Sequence, residues 1–252
     1  MAIEVFNRYE HKYLLDRTTY EQVLNIMDEH MELDAYNTNH EPYTISNIYY
    51  DTADDILIRR SIKGPVYKEK LRLRSYGTPD EDTKVFLEIK KKFNGLVNKR
   101  RVILKLNEAY AFIRKETVPD SEYINRQILN EISYFINCYQ LMPKVVISYD
   151  RVAYFEKGNP DLRVSFDSNI RSRRYDIGLE YGNYGNLLFD DDLYLMEIKT
   201  SMAKPLWICD MLTELDIKRR SFSKYGMEFV QYINGKGVNN DENINENIRL
   251  YA

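Results

Sequence analysis

Apolar and charged residues alternate at period two along several stretches of this chain, the pattern of strands with one covered face. Leu71 and Leu73 alternate with Arg72 and Arg74, and Leu87 and Ile89 with Glu88 and Lys90. Val164 and Phe166 alternate with Arg163, Ser165 and Asp167, and Met196 and Ile198 with Glu197 and Lys199. The pattern predicts eight strands, over residues 4–15, 43–50, 66–75, 84–93, 97–105, 144–156, 161–167 and 193–200. Gly77-Thr78-Pro79-Asp80, Asn94-Gly95 and Gly158-Asn159-Pro160 mark turns between successive strands, so most pairings should be antiparallel hairpins.

Helical spacing takes over elsewhere. Val23, Leu24, Met27 and Met31 predict a helix over 17–33 with Asp16 as its N-cap. Further helices are predicted over 53–62, 107–115, 122–139 and 205–217, the last with Pro205 near its first turn. Residues 176–192 read as an irregular excursion, and the Asn-rich, acidic stretch 236–252 as a frayed tail. No repeat or break in composition divides the chain, so 1–235 is expected to form one domain. Eight strands suffice to close a barrel. The expected fold class is α+β, an eight-stranded, mostly antiparallel closed β-barrel with helices packed outside. The helices would cover the apolar faces, which turns the charged faces toward a lumen.

The chain has 36 basic and 39 acidic residues and a net charge of −3. That balance argues against broad nucleic-acid binding, including a barrel that uses the 22 tyrosines to stack single-stranded bases. Any polyanion site must be a local concentration of Lys and Arg. Cys138 and Cys209 form no C-x-x-C unit, and His11, His30 and His40 no ligand pair. No signal peptide or membrane span is legible, which gives a cytoplasmic expectation.

A lumen lined this way has definite chemistry. Lumenal cations need carboxylate neighbours or a bound anion, because each loses hydration. Arg donates in a planar fork to phosphate oxygens, and Lys acts as a movable point charge. Glu10, Glu88 and Glu197 offer hard oxygens suited to Mg²⁺ or Mn²⁺. Together these are the parts of phosphoryl transfer, and no P-loop motif is present. A lone Glu-x-Lys pair is usually a solvated ion pair. Its repetition at Glu88-x-Lys90 and Glu197-x-Lys199 favours a site.

An ordered set of short motifs carries a resemblance. They are Arg8-x-Glu10-x-Lys12-Tyr13, Tyr49-Tyr50-Asp51-Thr52, Leu71-Arg72-Leu73-Arg74, Phe86-Leu87-Glu88-Ile89-Lys90 and Lys99-x-Arg101 in the first half. Tyr149-x-Arg151-x-Ala153-Tyr154, Leu162-Arg163-Val164-Ser165-x-Asp167, Met196-Glu197-Ile198-Lys199 and Ser221-Phe222-Ser223-Lys224-Tyr225 follow in the second. From about residue 5 to 232 the chain resembles the VTC (vacuolar transporter chaperone) domain, the polyphosphate polymerase branch of the CYTH-like triphosphate tunnel metalloenzymes. The resemblance implies a metal-dependent transfer of the terminal phosphoryl group of ATP onto a growing polyphosphate chain. It implies that Lys12, Arg72, Arg74, Lys90, Lys99, Arg151, Arg163, Lys199 and Lys224 grip phosphates. Arg8, Tyr49, Arg101 and Ser223 would assist in binding substrate. Glu197, with Glu10 and Glu88, would hold Mn²⁺ or Mg²⁺. The wider family begins E-x-E-x-K, whereas this chain has Arg8 in place of the first Glu, and Ser221 stands where the polymerases carry a basic residue. A triphosphatase on the same scaffold and a noncatalytic polyphosphate- or nucleotide-binding module are the alternatives.

Overall fold

The computed structural model describes residues 5–37, 41–94, 96–120, 123–189 and 192–235, with side chains from Tyr9 onward. The predicted tail 236–252, Gly95 of the Asn94-Gly95 turn and the side chain of Arg8 lie outside this description. Two compact units emerge. One comprises Ile45–Ser148 and Arg171–Asn186 with the start of the first strand, and the other Arg8–Thr44, Tyr149–Ile170 and the described residues from Leu187 on.

In the first unit, β3 (Tyr43–Asp51), β4 (Tyr67–Tyr76), β5 (Lys84–Phe93) and β6 (Leu96–Lys105) form an antiparallel succession, and β7 (Met142–Glu156) flanks β3. Pairing sets Tyr49, Arg72, Glu88 and Arg101 in one cross-strand row. The opposite face carries Leu71, Leu73, Leu87, Ile89, Val102 and Leu104, all essentially inaccessible to water. Two helices cover it. They are α3 (Leu106–Ile113), through Leu106, Ala109 and Phe112, and α4 (Arg126–Tyr139), through Ile128, Ile132, Phe135 and Ile136. α2 (Ile56–Ile62) is capped by Asp51, whose carboxylate accepts from the N–H groups of Thr52, Leu57 and Ile58. Asp51, part of a matched motif, therefore holds backbone together.

In the second unit, β1 (Val5–Asp16) pairs with β10 (Leu193–Thr200), which pairs with β8 (Asn159–Arg173). β8 returns to β7 across the Lys157–Gly158 turn, where Gly158 takes φ +75°, and the short β9 (Asn186–Leu187) edges β8. Val164, Phe166, Met196 and Ile198 are buried under α1 (Arg17–Met27) and α5 (Leu206–Glu214) by Val23, Met27, Ile208 and Met211. Asp16 caps α1 as expected, accepting from the Thr19 N–H at 2.7 Å.

The α+β class, the mostly antiparallel pairing and the covering helices stand as read from the pattern. Three expectations change. The first helix ends at Met27, and Met31–Leu33 instead form β2, paired to β7 with Met31 buried. Met31 thus meets the core in a strand, although its spacing from Met27 also suits a helix. β8 runs on to Arg173, well past Asp167. A helix that the pattern did not announce, α6 (Lys224–Gly235), buries Tyr225, Phe229, Val230 and Ile233. Its Gly226 and its aromatic and β-branched residues lower helix propensity.

Candidate functional site

The charged face of β4–β6 is organised around Glu88, whose side chain is 1% exposed. One carboxylate oxygen accepts from Arg72 Nε at 2.7 Å and lies 3.9 Å from Arg74 Nε. The other accepts from Lys99 Nζ at 3.0 Å. Burial by itself pushes the Glu88 carboxyl up, but Arg72, Arg74 and Lys99 overcome it and hold it well below the usual carboxylate range. Lys99 bears the reciprocal cost of crowding: burial, reinforced by Arg74 and Arg72, pulls its ammonium down to about 7 despite Glu88.

Neutral groups aim these cations. Arg74 Nε donates to Asn47 Oδ1 at 2.9 Å, and Arg72 Nη1 donates to the Tyr49 hydroxyl at 3.4 Å. Tyr49 is buried, so its part is to orient Arg72. Arg101 lies opposite Glu88 in register and stacks 4.9 Å from the Phe86 ring centroid. Lys90 stands one row along, between Lys70 and Lys99.

A second cluster occupies β1, β10, β8 and α6. The register places Lys12 opposite Glu197 and Glu10 opposite Lys199, with Ser165 and Arg163 beside Glu197 and Lys199 on β8. Glu197 Oε2 lies 2.7 Å from Lys199 Nζ and 3.8 Å from Arg151 Nη2, and Oε1 lies 3.4 Å from Lys12 Nζ. Lys12 also donates to the Phe222 carbonyl at 3.1 Å. Burial holds Lys199 below its ordinary value, against the pull of Glu197.

Asp167 anchors this cluster. It is fully buried and accepts from Arg151 through Nε at 2.6 Å and Nη2 at 2.8 Å, and it pairs with Lys224 Nζ. Burial would raise its carboxyl, but Arg151 and Lys224 hold it far below the usual range, and the partnership holds Arg151 well above its own. The Tyr149 ring lies 5.2 Å from the Arg151 guanidinium and 4.2 Å from the Lys224 ammonium. Arg163 donates to Asp34 at 2.9 Å and to the Tyr43 hydroxyl at 3.2 Å. Ser223 caps α6, its hydroxyl accepting from the Gly226 N–H at 3.1 Å, and so sets Lys224 at the positive end of that helix.

Glu88 therefore gathers Arg72, Arg74 and Lys99, while Glu197 and Asp167 gather Lys12, Arg151, Lys199 and Lys224. Sequence reasoning left out Asp167, Asn47, Asp34 and Tyr149 as functional positions. Asp167 had a signal, since it shares strand parity with Arg163 and Ser165. Asp34 had none, because it directly follows the helix predicted over 17–33 and belongs to no predicted element.

A divalent cation can be tested against these donors. Among the described residues no three carboxylate, imidazole or thiolate groups gather as a ready metal cage. Glu88 suits a metal poorly, since both oxygens already serve cations. Glu197 fits better. It neighbours the Glu10–Lys199 pair, and on β8 it faces Ser165, whose buried hydroxyl has no hydrogen-bond partner. Mg²⁺ and Mn²⁺ need few protein carboxylates when water and phosphate oxygens complete the shell.

Residues 7–232 match the family described as the VTC domain. The chain is 27% identical over 215 residues to vacuolar transporter chaperone complex subunit 4 of Trypanosoma brucei brucei, covering 71% of this chain and 27% of that protein. The subunit 4 of Schizosaccharomyces pombe is 24% identical over 213 residues, 70% of this chain and 29% of its own length. The chain thus spans under a third of these relatives. A solved structure of a putative adenylate cyclase from Bacillus halodurans superposes with a TM-score of 0.55 at 13% identity, over 88% of this chain and 96% of that one, which shows a shared fold. No helix among the described residues is long and apolar enough to cross a membrane. The match along nearly all of the described chain, with its motif residues drawn into buried Arg–Lys–carboxylate clusters, places this chain in the VTC domain family.

Proposed function

We propose that this domain is a polyphosphate polymerase that transfers the terminal phosphoryl group of ATP onto a growing polyphosphate chain. The observation that carries the reading is the pair of buried carboxylate hubs, Glu88 and Asp167, each fixing Arg and Lys side chains along one strand face. Cations fixed in this way are preorganised for charge that develops on a transferring phosphoryl group.

Arg72, Arg74 and Arg151 would donate to phosphate oxygens in the fork geometry that a lysine lacks. Lys12, Lys90, Lys99, Lys199 and Lys224 would neutralise charge, with Arg163, Arg101 and Arg8 extending the grip. Ser223 and Tyr49 support the cations from behind. Glu197 with Glu10 is the proposed holder of Mn²⁺ or Mg²⁺, which would supply positive charge to offset that of the phosphates. For Glu88 the geometry supports an anchoring role. The relatives' subunit names place them in a vacuolar transporter chaperone complex. A cytoplasmic setting for this domain is proposed along with its activity.

The test is incubation of the purified protein with ATP and Mn²⁺, resolving products on a gel that separates long polyphosphate from orthophosphate. Chains longer than the substrate are expected. Release of orthophosphate alone would replace this reading by a triphosphatase, and binding of ATP without turnover in any divalent metal would replace it by a binding module.

A further inference from the structure

The charged face of β4–β6 extends beyond the residues that clasp Glu88. In strand register, Arg72 stands beside Glu88 and Arg101, Lys70 beside Lys90 and Lys99, and Lys68 beside Lys92. Alternate residues of a strand share a face and rows repeat about every 7 Å, so the cationic rows from Arg74 to Lys68 cover about 20 Å. Within those rows Glu88 is the one carboxylate.

The two ends of this face differ. The row at Arg74 contains Phe86 and Ile103, and the next contains the exposed Tyr76, which meets Phe86 edge-on at 5.6 Å. The row after Phe86 and Ile103 pairs Lys84 with Lys105, of which Lys105 is engaged by Asp82 and Lys84 lies 6.0 Å from the Tyr123 ring centroid. At the other end Lys68 and Lys92 stand across from each other, both half-buried, with Lys70 and Lys90 on the adjoining row. Lys68 is tethered by donation to the Ser61 carbonyl at 2.9 Å, at the last turn of α2. Burial and then Lys92 lower its pKa, the mark of two ammonium groups close enough to repel. Neither Lys68 nor Lys92 is among the cations that clasp Glu88, which are Arg72, Arg74 and Lys99.

We propose that Lys68 and Lys92, with Lys70 beside them, form a separate subsite for a condensed phosphate chain, holding phosphates beyond those gripped in the Arg72–Glu88–Arg101 row. The inference rests on the polyphosphate reading and adds a direction to it. A chain lying on this face runs toward Lys68 and Lys92, because cations occupy adjoining rows on that side, whereas on the other the Phe86–Ile103 pair interrupts them before Lys84 and Lys105. A triphosphate seated at Glu88 would not need to reach them.

Calorimetric titration of the full chain with ATP, tripolyphosphate and polyphosphate of several tens of units tests this. In Lys92→Ala and in Lys68→Ala/Lys92→Ala, long polyphosphate should bind roughly tenfold or more weakly for each ammonium group removed. Affinity for ATP and tripolyphosphate should stay within twofold, and Lys68→Arg/Lys92→Arg should restore the long chain. Thermal unfolding accompanies each variant, since Lys68 also supports α2; Lys92→Ala alone keeps that support and decides the question if the double variant fails to fold. Equal weakening of all three ligands, or long-chain affinity that is unchanged in Lys92→Ala, would overturn the subsite. Failure of the wild type to bind any of the three would instead defeat the polyphosphate reading itself.

Discussion

Replacing Glu88 by Gln tests the central claim about the first cluster, that one buried carboxylate makes a crowded set of cations tolerable. The substitution keeps shape and removes one charge. In the wild type that charge sits 2.7 Å from Arg72, 3.0 Å from Lys99 and 3.9 Å from Arg74, with a side chain 1% exposed. Removing one partner of a buried ion pair costs about 3–5 kcal/mol, because the remaining charge is left without compensation. For a chain of this size each kcal/mol moves the melting temperature by about 2–4 °C, so Glu88→Gln should melt about 6–20 °C below wild type. The sign with pH follows from the depressed Glu88 carboxyl. Its stabilisation is present above the unfolded carboxylate value and is lost as pH falls through the folded one. The part of the deficit owed to Arg72 and Arg74 should therefore persist through neutral pH and shrink only in strong acid, while the part owed to Lys99 declines as pH rises through about 7. Lys99, deprived of the group that holds its proton, should titrate lower still. Tripolyphosphate should raise the melting temperature of the variant more than that of wild type, since the ligand then meets uncompensated cations. Differential scanning fluorimetry in phosphate-free buffer, with and without tripolyphosphate, reads both effects. A fall of less than about 2 °C at pH 7, with equal ligand shifts, would refute the hub.

Three further outcomes are expected. Glu197→Gln should abolish polymer synthesis at saturating Mn²⁺ while circular dichroism shows the fold intact, even though loss of its pairing with Lys199 lowers the melting temperature; full turnover would remove Glu197 from the metal site. Arg151→Ala or Lys224→Ala should slow chain synthesis on the order of 10²–10³-fold, the loss typical of one preorganised donor, and initial rates on a polyphosphate gel will show it. Lys99 without ligand holds its proton only up to about pH 7, so ATP affinity should fall between about pH 7 and 9, by at most about tenfold per unit. Lys99→Arg, charged throughout, should flatten that profile, and an identical slope in wild type and variant would exclude Lys99 as the titrating group.

Much of this protein was legible in its sequence because strand periodicity is local. Leu71, Leu73, Leu87 and Ile89 had to share a face opposite Arg72, Arg74, Glu88 and Lys90 whatever the rest of the chain did, and that face is the one that α3 and α4 bury. The order of motifs placed the same side chains within a known family, and the Asp16 cap was read from local chemistry. What periodicity could not supply was partnership. That Glu88 serves Arg72, Arg74 and Lys99 together depends on the register of β4, β5 and β6, and a shift of one residue would turn Glu88 to the other face. That Asp167 binds Lys224 depends on a helix whose glycines and aromatic residues conceal it in sequence. That Asp34 holds Arg163 depends on Met31–Leu33 pairing as a strand where spacing also suits a helix. Local propensity decided which elements could form. Long-range pairing decided which charges meet, because an ion pair buried in a sheet is set by strands far apart in the chain, and its energy is realised only once they are in register.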